Sequence, residues 1–313
     1  MLLGAFLLTA IAVACSSGGS SQDALAATLP NNWVTSVAEA PDGTLWVGTI
    51  DGLGHLDGEA WTIARVADGL PNDLVNAVAV TRAGDVWVGT NVGAGRLSAG
   101  SWSTYRIPDG LPSNWVNSVA EDADGTTWLG TIAGLARPAG DGWDTIDAQD
   151  GLPTTRVTWV EAAGTGELWI GSNGGLGHFD GTGWTAFSTA DGLPGDWVNT
   201  IDVADDGTVW VAARGGLGRF DGSTWSAYTV EDGIPDAWAT AVAAAGDGTV
   251  WVGTEDGLAR LENGTITSLG GSDLPDPSIT ALTVARDGSL WVGTKGGLAH
   301  LDDGAWTVYR ASH

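Results

Sequence analysis

The sequence predicts an all-β protein, a seven-bladed β-propeller of four-stranded antiparallel blades, from three observations. One motif returns seven times: the tryptophans of LWVGT, VWVGT, TWLGT, LWIGS, VWVAA, VWVGT and LWVGT are Trp46, Trp87, Trp128, Trp169, Trp210, Trp251 and Trp291, spaced 41, 41, 41, 41, 41 and 40 residues apart. Each period holds four strand-like runs of four to six residues with turn residues between them, which leaves no room for a helix. The composition, with 49 Gly and 18 Trp against 4 Phe and 1 Met in 313 residues, is that of short strands joined by tight turns.

Residues 2–14 are a run of 13 apolar residues. As a helix it would span about 20 Å, short of the roughly 30 Å hydrocarbon core of a bilayer, so it reads as a signal peptide and not as a membrane span. Cys15 follows Ala12, Val13 and Ala14 directly, and is the single cysteine of the chain. This segment resembles a bacterial lipoprotein signal, which implies that Cys15 is lipidated and heads the mature chain; secretion without a lipid is the alternative. Residues 15–29, small and polar at first, read as the lipidated Cys and a flexible tether. Residues 30–313 divide into repeats 30–70, 71–111, 112–152, 153–193, 194–234, 235–274 and 275–313, each opened by a proline.

Within a repeat the fifth unit is representative: VNTIDV, a DG turn, TVWVAA, an RGG turn, LGRF, a DGS turn, TWSAYT and the loop EDGIP. The Asp-Gly pairs of the first hairpin predict turns with φ > 0 at both positions. A second tryptophan column, Trp61, Trp102, Trp143, Trp184, Trp225 and Trp306, is interrupted only by Ile266, and packing between blades accounts for both columns. A closed ring is expected over an open solenoid, because the last unit keeps its apolar pattern where a solenoid needs a polar cap. The frame from Pro30 leaves no spare strand to exchange, so the manner of closure stays open.

The unit GLP-x-x-x-V-x-x-V followed by D-G-x-x-W-V-G-T-x-x-G-L resembles the two-component regulator propeller repeat over all seven units. The resemblance implies a seven-bladed propeller and ligand sensing or partner binding outside the cytoplasm. Sensors of that family continue into a membrane helix and a signalling module, whereas this sequence ends at His313. The expectation is therefore a binding partner or lipoprotein cousin of such a sensor and not a histidine kinase.

Charge excludes one class of partner. Twelve basic against 38 acidic residues give a formal charge of -26, which repels a phosphate backbone, so nucleic acid is not expected, and a membrane is expected only through the lipid anchor. No cofactor or metal is expected. The DG turns are too short for calcium loops. His55, His178 and His300 align with Arg96, Arg137, Arg219 and Arg260, an exchange a metal ligand would not tolerate, and are expected to pair with aspartates such as Asp68, Asp109 and Asp191. No Ser, His and Asp set stands apart from the repeat, and there is no GxSxG or HExxH.

What varies lies on one predicted face, where the GLP loops meet the turns between the second and third strands. Three residues after each proline stand Trp33, Leu74, Trp115, Arg156, Trp197, Trp238 and Ser278. Trp33, Trp115, Arg156, Trp197 and Trp238, with Trp159 in a column of otherwise small residues, are the candidate ligand contacts, weighed against a role as inner caps of the blades. The turn residues Asp51, Arg214, Glu255, Asp256 and Lys295 read as solvated charges. Short, uniform connections favour a noncatalytic module that binds a small molecule or an envelope protein, in the periplasm or on the cell surface. The alternatives are a lyase or hydrolase of polysaccharide or another exported substrate, for which Arg156 with Asp196 or Asp73 is the nearest acid and base set, and a purely structural scaffold. No catalytic residue is assigned.

Overall fold

A computed structural model describes residues 28–163, 166–269 and 273–312. The signal peptide, Cys15 and most of the tether lie outside the described residues. Each repeat forms one antiparallel four-stranded sheet in sequential order, and seven such sheets make the propeller expected from the sequence. In blade 1 the strands are β1 (Val34–Glu39), β2 (Leu45–Thr49), β3 (Gly52–Asp57) and β4 (Ala60–Ala64). The first strand of every blade lies nearest the axis, against the first strands of both neighbours, and Val34–Glu39 touches Ile279–Val284 of blade 7 to close the ring. Among the described residues no strand is exchanged at closure. Among the described residues no helix is long and apolar enough to cross a membrane.

A β-bulge builds the axis. In blade 1 the register jumps from Val34–Thr49 to Ser36–Gly48, so Thr35 is the extra residue, and the same irregularity recurs at the start of every inner strand. Released from the ladder, the bulged side chain reaches the next blade. Thr35 Oγ1 donates to the carbonyl of Val75 at 2.5 Å, Asn76 to Val116, Asn117 to Val157, Thr158 to Val198, Asn199 to Ala239, Thr240 to Ile279, and Thr280 of blade 7 to Val34 of blade 1. The ring of bonds closes on itself without regard to where the chain begins.

Packing between blades follows one rule with one exception. The glycine of each W-V-G-T run faces the first valine of the next blade, and a Cβ built on Gly48 would lie 2.9 Å from Val75 Cγ1, on Gly89 2.9 Å from Val116 Cγ1. Blade 5 carries Ala212 in place of that glycine, and the facing residue of blade 6 is Ala239 in place of valine or isoleucine, both fully buried in one cluster. The methyl gained on one side occupies the space given up on the other. The GLP leucines and their isoleucine and N-terminal counterparts, Leu29, Leu70, Leu111, Leu152, Leu193, Ile234 and Leu274, are buried between blades, and in blades 1, 2, 4 and 5 the proline lies against a glycine of the third strand, Pro30 Cδ 3.0 Å from a Cβ on Gly54.

The two halves of the connection at the ring seam meet as an intact one does. The amide of Val66 donates to Asp73 Oδ1 within the first linker, Ile107 to Asn114 Oδ1 within the second, and at the seam Ala311 donates to Asn32 Oδ1 at 2.7 Å. Thr28 and Ser312 add a hydroxyl pair at 2.8 Å.

The first hairpin differs from its expected geometry. Only the glycine of each Asp-Gly pair has φ > 0, as at Gly43 (φ 85°), because Pro41 and Asp42 form a type I turn with Gly43 N–H donating to the Ala40 carbonyl. Asp42 Oδ1 then accepts the Thr44 amide at 3.1 Å, a bond that does not need a left-handed aspartate. Turns with both positions left-handed occur instead between strands three and four, at Ala99 and Gly100, Asn263 and Gly264, and Asp303 and Gly304.

Because Ala212 and Ala239 share one space, Ala239→Val is expected to overpack and destabilise the propeller by about 1–3 kcal/mol. Adding Ala212→Gly is expected to restore most of the loss. Urea unfolding of the two single variants and the double variant checks this, non-additivity being the signature.

Candidate functional site

The GLP loops and the turns between strands two and three do share one face, since the turn amides of Ile50, Ile132, Arg214 and Lys295 donate to the carbonyls of Trp33, Trp115, Trp197 and Ser278. Six of the seven loops fix the start of the inner strand through a side-chain cap two residues earlier. Asn31, Asn72, Ser113, Thr154, Asp236 and Asp276 accept the amides of Trp33, Leu74, Trp115, Arg156, Trp238 and Ser278. The seventh, blade 5, has Gly195 there.

Around this opening the tryptophans are exposed, Trp33 at 43%, Trp115 at 44% and Trp238 at 37%, with Trp197 half-buried. They are not equivalent. The Arg214 guanidinium lies between Trp197 and Trp238, 4.2 and 3.8 Å from the two ring centroids, so blades 5 and 6 hold a cation between two indoles. Lys295 Nζ stands 5.7 Å from the Trp33 ring and pairs at 2.7 Å with Glu255, which also accepts from the Ser278 hydroxyl at 2.9 Å. Those two donors hold the Glu255 carboxyl below its ordinary range, Lys295 foremost. Among the described residues no ring or cation lies against Trp115, and Arg156 is exposed, with a hydrogen bond from its backbone amide to Thr154 Oγ1.

Trp159 belongs to a different group. Its indole N–H donates to Glu161 Oε2 at 3.1 Å, two residues farther from the loop face, and its ring packs with the blade 5 cluster of Val198 and Ile201. Glu161 and Asp202 occupy one column on adjacent inner strands, where the other blades carry Ala38, Ala79, Ala120, Ala243 and Thr283. Burial, then the charge of Asp202, pushes the Glu161 carboxyl up to about 8, and burial pushes Asp202 up to about 6 although its carboxylate accepts the Ala244 amide at 2.6 Å. This axial pair was legible only as two acids in an alanine column.

Several expected partners lie elsewhere. His55, His178 and His300 stack on Trp46, Trp169 and Trp291 with centroids 4.1, 4.0 and 3.8 Å apart, while Arg96, Arg137, Arg219 and Arg260 cover the other four tryptophans of that column. Asp68, Asp109 and Asp191 do not meet the histidines; they accept the amides of Arg65, Arg106 and Ser188 and so cap the short turns before the GLP loops. Asp73 and Asp196 likewise serve the linkers, their Oδ1 atoms accepting the amides of Val66 and Thr189. Two concavities of about 590 and 550 Å³ lie at the opposite end, between the first hairpins of blades 5 and 6 and of blades 4 and 5. Smaller versions recur between blades 1 and 2 and between blades 7 and 1, so this groove is a product of the repeat.

The fold and its varied loop face define a seven-bladed β-propeller. The two-component regulator propeller model matches residues 28–51, 69–92, 110–133 and 273–296, the loop and first two strands of blades 1, 2, 3 and 7, so those four segments are similar to that family's repeat. Comparison with curated proteins gave no match. Among solved structures, the extracellular domain of a hybrid two-component system from B. thetaiotaomicron is similar with a TM-score of 0.75 and 21% identity, over 88% of this chain and 40% of that one. The chain thus spans two fifths of that domain. A streptogramin B lyase is similar with a TM-score of 0.73 and 20% identity, over 90% of this chain and 95% of the lyase. Catalytically inactive virginiamycin B lyase from Staphylococcus aureus with quinupristin gives a TM-score of 0.72 at 16% identity, over 87% and 96%. At these identities the likeness is one of fold, shared with sensor and lyase propellers alike.

The axial carboxyls yield a pH dependence. Both sit above their ordinary range when folded, so the stability tied to them is complete below about pH 4 and is lost as pH rises through 6 and 8. Glu161→Gln is expected to melt higher than the parent at pH 9, on the order of 2–4 °C, and to lose that advantage at pH 5, as read by thermal unfolding at the two pH values.

Proposed function

We propose that this propeller is a ligand-binding module that works outside the cytoplasm and meets its ligand at the loop face. The observation that carries the reading is the concentration there of three exposed tryptophans and two arginines without a carboxylate partner, in a chain with 38 acidic residues. Exposed indoles offer flat apolar platforms, and a guanidinium gives orientation. The ligand is a small molecule or the surface of an envelope protein.

A second reading, a lyase or hydrolase of an exported substrate, is favoured by a separate observation. The likeness to the lyases runs nearly the whole length of both chains, whereas only two fifths of the sensor domain is matched, so the solved folds weigh toward this reading over the sensory one. Against it stands the engagement of Asp73 and Asp196 in the linkers.

The test is a thermal-shift screen of the chain without residues 1–15 against sugars, amino acids and organic acids, with every hit repeated on Trp115→Ala and Arg156→Ala. A saturable rise in melting temperature lost in both variants is expected. Incubation of the hit followed by mass spectrometry separates the two readings, since a binding module returns its ligand unchanged and a lyase consumes it. Export with a lipid anchor is part of the proposal, and labelled palmitate is expected to enter the full chain in a bacterial host and to be absent from Cys15→Ser.

A further inference from the structure

Blade 5 departs from the repeat at two neighbouring positions of the loop face, Ala213 and Gly195, and in the backbone conformation of Gly215, and the departures converge on Arg214. In the other six blades a Thr or Ser ends the second strand and its hydroxyl donates across the turn, as Thr49 does to the Gly52 carbonyl at 2.8 Å; blade 5 has Ala213. The loop cap is replaced by Gly195, and a Cβ on Gly195 would lie 1.6 Å from the Arg214 carbonyl oxygen, so only glycine admits the turn this close. Gly215, at φ 128°, would place a Cβ 2.0 Å from the Pro194 carbonyl oxygen. The turn so displaced bridges Arg214 to Trp238 of blade 6 through the backbone and donates from Gly215 N–H to the Ala237 carbonyl at 2.7 Å.

The result is a guanidinium held between two indoles, its Cζ 4.2 and 3.8 Å from their centroids, while remaining exposed. Among the described residues Arg214 has no ion pair, and its guanidinium donates no hydrogen bond. Six of the 12 Lys and Arg side chains are paired with a carboxylate, and what distinguishes Arg214 among the rest is its place between two indoles. A guanidinium held between two rings keeps N–H donors for a planar acceptor, and part of its rotational freedom is already spent. Arg156 opens the inner strand of the adjacent blade 4 and brings a second unpaired cation to the same side of the axis.

We propose that the border of blades 5 and 6 is the anion subsite of the loop face, where Arg214 receives the carboxylate of a small molecule whose apolar face lies on the exposed tryptophans. The proposal rests on the loop-face reading above and gives it a substrate class, organic acids. The carboxylate accepts two parallel N–H bonds from the guanidinium, and Arg156 adds charge from the neighbouring blade.

The experiment uses benzoate and benzamide as matched probes, the same ring with and without the charge, followed by saturation-transfer NMR at pH 7 and low salt on the chain without residues 1–15. Benzoate is expected to bind and benzamide to bind at least about tenfold more weakly, with Arg214→Gln reducing benzoate to the benzamide level. Arg214→Lys, which keeps the charge and loses the planar fork, is expected to fall between them. Melting temperatures of both variants show whether they fold. Unchanged benzoate binding by a folded Arg214→Gln, with a lowered melting temperature, would make the stack a clamp between blades and overturn the subsite. Equal binding of the two probes, lost in Trp115→Ala, would overturn the subsite and leave the loop-face reading standing. Absence of benzoate binding to the parent chain overturns the subsite as well, and the thermal-shift screen then decides the loop-face reading separately.

Discussion

The molecule hangs on a ring of seven side-chain bonds between its inner strands, each from a bulged Thr or Asn to a carbonyl of the next blade. A radial fold has to hold seven sheets at one angle although no backbone ladder runs from sheet to sheet. Hydrophobic burial between blades is strong but nondirectional, and it tolerates sliding. Hydrogen bonds to a fixed carbonyl do not, because a lost partner leaves a shielded acceptor at a cost of about 1–3 kcal/mol. The bulge supplies this bond at the start of every inner strand, and in-register side chains farther along, such as Ser36, Thr200 and Thr283, add further bonds to the neighbouring blade. Closure then requires nothing special at the seam, where Thr280 bonds Val34 as Thr35 bonds Val75 and Asn32 stands in for the acceptor of an intact linker.

Once every blade is held alike, chemistry has to come from places where a blade is not alike. Two such places sit on blades 4 to 6. One is the axial pair Glu161 and Asp202 with the indole of Trp159, and the other is the Trp197, Arg214 and Trp238 stack. Conversely the histidines, exchanged for arginines around the ring, do one common task of covering a buried tryptophan face. Variation that keeps a role is packing, and variation that abandons it is where a function can enter.

How much of this the sequence shows depends on whether a column carries its own spacing. Trp46 and Trp61 with their equivalents announce the blades because large apolar residues at fixed intervals have few other uses. The Thr and Asn column at residues 35, 76 and 117 is as regular, yet it passes unnoticed, since two residue types alternate in it and a bulge has no mark in a short strand. Asp-Gly suggests a turn with two left-handed residues, but Pro41 and the side-chain bond of Asp42 select the type I form. Of the candidate site, the tryptophans are legible as a column that leaves the packing pattern. Arg214 is not, because a charged turn residue looks solvated until Gly195 and Ala213 are seen to make room for it.

An anion at the face of so acidic a chain involves no contradiction. The charge of -26 is spread over many side chains, and at physiological salt the field of each exposed carboxylate decays over about 8 Å. A guanidinium between two indoles acts at contact distance, where the neighbouring rings lower the local dielectric and strengthen its N–H groups as donors. The distant carboxylates bear on the rate at which an anion arrives more than on how firmly it is held. Acidic surroundings also impose selectivity, because an anion not read by Arg214 and the aromatic platform gains nothing to offset the repulsion it meets on approach.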